Sequence, residues 1–422
     1  MSTLQERDKK HLWHPLTQHQ IHPEALPIVK AKGAVLYDDE GKSYIDGISS
    51  WYTAMYGHCN PYILEKVKQQ METLDQIVFA GFTHGPAIEL SEALIDILPD
   101  NQQKIFFSDN GSTANEVAIK MALQYFFNRG EKRNTIIAFE DGFHGDTFGA
   151  MSASGLSVYN GPFEEFFIDV KRVAVPTDKN ISEVLASLKT IITENEVAAF
   201  IYEPLVQGAN AMTMFEAEHL DQLLRVCREH GVLLIADEVM TGFGKTGKHF
   251  ASEYMQVQPD LISLSKALTA GFVPMAVTSC TQAIYDAFLD NSIGKAFFHA
   301  HTYSANPIAC SVALAGIILL QSDEIQQGIE HITARHREFD QKIKEHPRVR
   351  STRQMGVIYA LDLEIEMDRY GKQRYEIFNH FMDQGVALRP LGNTIYVLPP
   401  YVTTDEQLNK VYGSILKLLD KL

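Results

Sequence analysis

Three short stretches of this chain place reactive side chains where an apolar run ends. Asp237 and Glu238 follow Val232–Ala236 directly, Lys266 closes Leu261–Lys266, and Ser108-Asp109-Asn110-Gly111-Ser112-Thr113 lies between an apolar run and a helical pattern. A carboxylate behind so apolar an approach can pair with a buried cation, bind a metal or act as a base. The same approach argues against a solvated turn. A lysine just past a buried strand can be desolvated and kept partly neutral, as a Schiff-base amine requires, although a lone lysine is more often a surface residue. Backbone N–H groups and small hydroxyls at a helix start can cradle a phosphate, and they also make an ordinary N-cap. Taken singly, none of these signals decides. In combination, a phosphate cradle, an aspartate after one strand and a lysine after another are the three groups that pyridoxal 5'-phosphate (PLP) requires.

A second stretch, Gly244-Lys245-Thr246, has the look of a rival phosphate loop. The Walker pattern needs a glycine where this chain has Val239, so an NTPase is rejected.

The elements that must position these groups can be read from apolar spacing. Lys104–Ser108, Thr135–Phe139, Ala198–Tyr202, Val232–Ala236 and Leu261–Leu264 read as strands. Thr113–Asn128 carries Val117, Ala118, Met121, Ala122 and Tyr125 at helical spacing and closes at Gly130. His219–His230 puts Leu220, Leu223, Leu224 and Cys227 on one face, with Gly231 as its stop. Short, nearly continuous apolar strands between helices imply a sheet buried on both faces, the α/β class with a mainly parallel sheet. Ligands of such sheets sit beyond the carboxyl ends of the strands, where Asp237 and Lys266 fall. The chain ends differ: Gly33–Asp46 reads as strand, turn and strand, and the C-terminal part mixes strands such as Thr394–Leu398 with helices. We expect a large PLP-binding domain over 61–310, with 1–60 and 311–422 meeting in a smaller α+β domain.

Bulk properties exclude several classes. With 53 acidic and 37 basic side chains the net charge is −16, a sign that repels phosphodiesters, so nucleic acid is not expected as a partner. Cys59, Cys227, Cys280 and Cys310 are far apart and form no C-x-x-C pair, which speaks against a zinc site or disulfide framework and suits a reducing cytoplasm. No metal is expected: His11 and His14 lack an apparent third ligand and are read as structural. The first thirty residues show no apolar signal core. Ala309–Leu320 is too short to span a bilayer and reads as a buried helix, so no membrane is expected.

Asp237-Glu238-Val239 through Gly242-Phe243-Gly244-Lys245-Thr246-Gly247, followed by Lys266, resembles the signature of the class III, fold type I aminotransferases. The likeness runs over essentially the whole chain. It includes His11–Pro15, Asp46–Trp51, Thr83–Ala87, His144–Thr147, Glu203–Gly208, Arg389-Pro390 and Tyr396–Tyr401. Within the family it points to the branch that serves biotin synthesis. The resemblance implies amino transfer to 8-amino-7-oxononanoate, giving 7,8-diaminononanoate by a ping-pong route through pyridoxamine phosphate, with S-adenosylmethionine as donor. Another ω-amino acid or diamine aminotransferase, or a lysine-dependent version of the same reaction, is the alternative.

Carried over by position, Lys266 would hold the cofactor covalently and Asp237 would pair with its pyridine nitrogen. Gly111 and Ser112 would hold the phosphate, and Phe143 would stack on the ring. Thr302, with His301 beside it, would reach the phosphate of a neighbouring subunit, which implies a homodimer. Trp51, Tyr52 and Tyr396 would line the substrate pocket near Leu16 and Ala300, and Arg389 would bind the acceptor's carboxylate. The chain departs from the biotin-branch pattern at four of these places. Leu16 and Phe143 stand where tyrosine is usual, Lys245 where arginine is, and Ala300 where glycine is. None touches the covalent chemistry, but Leu16 and Lys245 bear on substrate recognition.

Overall fold

A computed structural model describes residues 3–157 and 160–422. Its centre is a seven-stranded sheet in the order Gln102–Ser108, Ala276–Thr281, Leu261–Leu264, Leu233–Asp237, Val197–Tyr202, Thr135–Phe139, Val170–Val173. The last five are mutually parallel, and Ala276–Thr281 runs against both of its neighbours. Gln102–Ser108 therefore points the same way as the parallel five, and six carboxyl ends share one edge of the sheet.

The strands read as apolar throughout because both faces are covered. Every residue of Thr135–Phe139, Val197–Tyr202, Leu233–Asp237 and Leu261–Leu264 is buried. Successive side chains enter opposite layers. Ile235 packs in one cluster with Val117, Ala118 and Ala122 of helix Gly111–Asn128, while Leu234 and Ala236 pack in the other with Leu220, Leu223 and Leu224 of helix Ala217–Glu229. Truncating such a residue to alanine costs about 2–5 kcal/mol.

Helix Gly111–Asn128 starts two residues before the expected Thr113 because Asn110 caps it. The Asn110 side chain accepts from Thr113 N (3.0 Å), and Thr113 Oγ1 accepts from Asn110 N (3.1 Å). Beyond its other end Gly130 takes a φ of 76°.

The two chain ends share a four-stranded sheet. Ile28–Lys32, Val35–Asp38 and Ser43–Asp46 form an antiparallel meander, and Val386–Ala387 joins it parallel to Ser43–Asp46. Val349–Met355, Ile358–Leu363 and Thr394–Val397 form a separate antiparallel sheet. The expected boundary at 310/311 falls inside helix Pro307–Leu320, which packs against Pro61–Met71 and Gly85–Ile97. A division there would cut a helix, so one near Leu320 suits the packing better. No single helix among the described residues is long and apolar enough to cross a membrane. All four cysteines are free thiols.

Candidate active site

Beyond the shared edge of the central sheet lies a cavity of about 1190 Å³. Asp237 ends its strand in register with Ser263 of the neighbouring one, and Lys266 follows three residues after that partner. Both line the cavity. The Asp237 carboxylate is fixed from three directions. Oδ2 accepts from Asn115 Nδ2 (2.7 Å) and lies 2.7 Å from His144 Nδ1, while Oδ1 accepts from Val239 N (3.1 Å). Lys266 takes a φ of 49°, a left-handed conformation that costs a non-glycine residue about 1–2 kcal/mol. Its Nζ lies 5.1 Å from the centre of the Tyr52 ring. Burial disfavours the Lys266 ammonium, opposed by the charges of Asp237 and Glu203. Glu203 is pushed up to about 7 by burial, which the neighbouring His144 opposes, and its carboxylate accepts from Phe143 N and Gly208 N, each at 3.0 Å.

The start of helix Gly111–Asn128 forms a second wall. A Cβ on Gly111 would lie 2.6 Å from Val239, and one on Gly145 would lie 2.2 Å from Ser112 Oγ, so glycine alone fits both places. Ser112 Oγ accepts from Thr147 N (2.9 Å) and lies 2.8 Å from Thr147 Oγ1. Phe143, 42% exposed, lines the same cavity.

The third wall comes from the smaller sheets. Ser49, Ser50, Trp51 and Tyr52 all have φ between 46° and 71°, a turn of left-handed helix built without glycine. Side-chain bonds hold it: Ser49 Oγ donates to Leu398 O (2.7 Å), Ser50 Oγ to Asp46 Oδ2 (2.8 Å), and His58 Nε2 lies 2.8 Å from that same Oδ2. The turn presents Trp51 and Tyr52 to the cavity. Tyr396 meets Tyr52 with ring centres 5.8 Å apart, and the Arg389 guanidinium lies 5.2 Å from the centre of Trp51. Leu16 lines the outer part of this wall.

The remaining expected residues lie elsewhere. Ala300, His301 and Thr302 do not line this cavity; Thr302 is exposed, and His301 Nδ1 lies 3.3 Å from Asp109, which does line it. Lys245, expected to bear on substrate recognition, is fully buried behind the wall, where its Nζ donates to Gly242 O (2.5 Å). Burial lowers its pKa to about 7, helped by the charge of Lys266. Glu238 faces away from the cavity and accepts from Ser252 N (2.6 Å) and Ala251 N (3.1 Å). His14 pairs with Asp8 at 2.9 Å.

With this geometry in view, comparison with known proteins decides the family. The description "Aminotransferase class-III" matches residues 16–419. The chain belongs to the class III aminotransferases. It is 42% identical to the adenosylmethionine-8-amino-7-oxononanoate aminotransferase of Synechococcus elongatus, covering 98% of this chain and 99% of that one. It is 35% identical to the Staphylococcus aureus protein of the same name, over 94% and 92% of the two chains. A crystal structure under that name from Methanocaldococcus jannaschii superposes with a TM-score of 0.94 at 30% identity, covering 99% and 98%. The ω-transaminase of Pseudomonas jessenii, solved in complex with PMP, superposes at 0.92 and 27% identity, covering 100% and 98%. This class III enzyme is a PLP-dependent aminotransferase of fold type I.

The residues present fit that cofactor in kind. A helix start faces the cavity for a phosphate dianion, a threefold-held carboxylate stands ready for a pyridinium, and a desolvated lysine for an aldehyde. Three further polar residues of the site have no role assigned from the sequence: Asn115 and His144, which orient Asp237, and Glu203; His144 and Glu203 open two of the stretches that carry the family likeness. The signal for Asn115 was an amide on the helix face that otherwise carries Ala118 and Ala122.

Proposed function

We propose that this aminotransferase moves an amino group from S-adenosylmethionine to 8-amino-7-oxononanoate, in the synthesis of biotin, as a cytoplasmic homodimer. The reading rests on the relatives named for that reaction, which align with nearly the whole chain. The observation that carries its chemistry is the placement of Lys266 and Asp237 on adjacent strand ends at one cavity wall.

When bound, the cofactor supplies an electron sink for the substrate carbon. Asp237, held by Asn115, His144 and Val239 N, would keep the pyridine nitrogen protonated. Lys266 Nζ would anchor the cofactor and, once displaced, move the proton at the substrate carbon, for which partial desolvation suits it. Gly111 and Ser112 would take the phosphate, and Phe143 would pack on the ring. Trp51, Tyr52 and Tyr396 would exclude water along a methylene chain, and Arg389 would fork onto its carboxylate. Trp51 and Tyr52 also offer aromatic faces to a sulfonium cation.

The dimer rests on a smaller set of observations. Thr302 is exposed outside its own chain's cavity, and the nearby Phe298 and Tyr303 are 70% and 62% exposed. Apolar surface of that kind calls for a partner.

Single-turnover bleaching of the visible PLP band, with S-adenosylmethionine and lysine at equal concentration, tests the donor. The proposal expects S-adenosylmethionine to convert the cofactor. Conversion by lysine alone would overturn the donor assignment, and failure of the aminated enzyme to react with 8-amino-7-oxononanoate would overturn the acceptor.

A further inference from the structure

Two further arginines, Arg369 and Arg374, line the same cavity as Lys266. They stand at the joint between Ile358–Leu363 and helix Gln373–Asp383. Arg369 packs beside Gly392, whose Cβ would lie 3.7 Å from the Arg369 Cβ, so its loop abuts the one that carries Arg389. A guanidinium has five N–H donors. Arg369 uses one on Ala209 O (2.5 Å), and Arg374 uses one on the Tyr375 hydroxyl (2.5 Å). Arg374 Nε is buried and has no hydrogen-bond partner among the described residues.

Neither arginine pairs with a carboxylate among the described residues. Arg353, on the neighbouring strand and also only partly exposed, shows the usual arrangement. It makes a two-pronged pair with Asp362 (2.8 and 3.0 Å) and donates to the Met212 carbonyl (2.8 Å). The acids of the cavity are engaged elsewhere or form no ion pair with these arginines. Asp237 and Glu203 are buried and hydrogen-bonded, Asp109 lies against His301, and Asp141 and Asp146 reach neither guanidinium. Each guanidinium lies over the ring of the tyrosine that follows it, Tyr370 at 5.9 Å and Tyr375 at 4.6 Å, and keeps its positive charge without a carboxylate partner among the described residues. Guanidiniums so placed on a cavity wall attract and orient anions.

We propose that Arg369 and Arg374 form a second carboxylate subsite of this cavity, beside the place of Arg389. The inference rests on the reading of the cavity as a site for carboxylate-bearing substrates. It adds a second anchoring place, with planar donors suited to bidentate capture.

The test is calorimetric titration of nonanoate into the PLP-loaded enzyme, at low and high ionic strength, for the wild type and for the Arg369→Gln/Arg374→Gln double variant. The wild type should bind nonanoate more weakly as salt rises. At low salt the double variant should bind about tenfold more weakly than the wild type, the lower end of what charge-assisted pairing contributes, and its salt dependence should shrink. Nonanamide should bind both proteins alike, and Arg369→Lys/Arg374→Lys should restore most of the salt dependence. Equal nonanoate binding by the wild type and the Gln variant would overturn the subsite. So would an equal loss for nonanamide, which would make the pair packing residues. Nonanoate carries no amine and is not turned over. Failure to aminate 8-amino-7-oxononanoate would therefore sink the proposed reaction and leave this result standing.

Discussion

At the floor of the cavity, Asp237 and Lys266 stand on or just past adjacent strands in which every residue is buried. At the mouth, Leu16, Trp51, Arg369 and Arg389 stand on turns and loops, all exposed but the half-buried Arg369. The floor is fixed by a closed set of hydrogen bonds on one carboxylate. The mouth is held by a left-handed turn and carries guanidiniums without acid partners among the described residues. A cofactor shared by both half-reactions needs the rigid part, while two unlike substrates entering in turn need the open part. Changes at the floor should therefore lower turnover with every substrate, and changes at the mouth should discriminate between substrates.

The largest effect is expected at the floor. Asp237→Asn keeps the shape but removes the charge opposite the pyridine nitrogen. We expect both half-reactions to slow by about 10²–10³-fold, the range for loss of one preorganised electrostatic group. Stopped-flow rates with donor and acceptor would show it, and a loss confined to one substrate would erase the distinction between floor and mouth.

Glu203 offers a sharper test of the floor through stability. Its pKa is raised from 4.5 to about 7 in the folded protein, chiefly by burial. A raised carboxyl stabilises the fold fully below the unfolded pKa and loses that contribution as pH climbs through the folded value. Between about pH 4.5 and 7 the wild type should lose up to about 3 kcal/mol that Glu203→Gln does not lose. Urea midpoints of the two proteins across that window would measure the difference, and parallel curves would contradict it.

At the mouth, Arg389→Ala should raise the KM for the carboxylate acceptor about tenfold while leaving the slow step of a donor held by other contacts nearly unchanged. A fall in kcat with both substrates would place Arg389 functionally with the floor.

The same division explains what could be read from the sequence. Thr135–Phe139 and Leu261–Leu264 have the expected bounds because their apolar runs are continuous. Asp237 and Lys266 were legible because each stands at the end of such a run. The long-range contacts were not. Asn115 and His144 meet Asp237 from 122 and 93 residues away, and no local spacing announces that. The left-handed turn at Ser49–Tyr52 contains no glycine to mark it; it is imposed by Leu398, Asp46 and His58. Lys245 bears on recognition only through the family likeness, in which arginine is usual at its place, and the turn that carries it buries it behind the wall. Arg369 and Arg374 sit in a polar stretch with no regular spacing, and only the fold brings them to the cavity.

The central claim is that Lys266 carries the cofactor. It is tested most directly by reducing the PLP-loaded enzyme with borohydride and mapping the modified peptide. The account predicts loss of the visible band and a single pyridoxyl label on Lys266, with no label in Lys266→Ala. A label on another lysine, the buried Lys245 above all, or a Lys266→Ala protein that still turns over at near the wild-type rate, would contradict it.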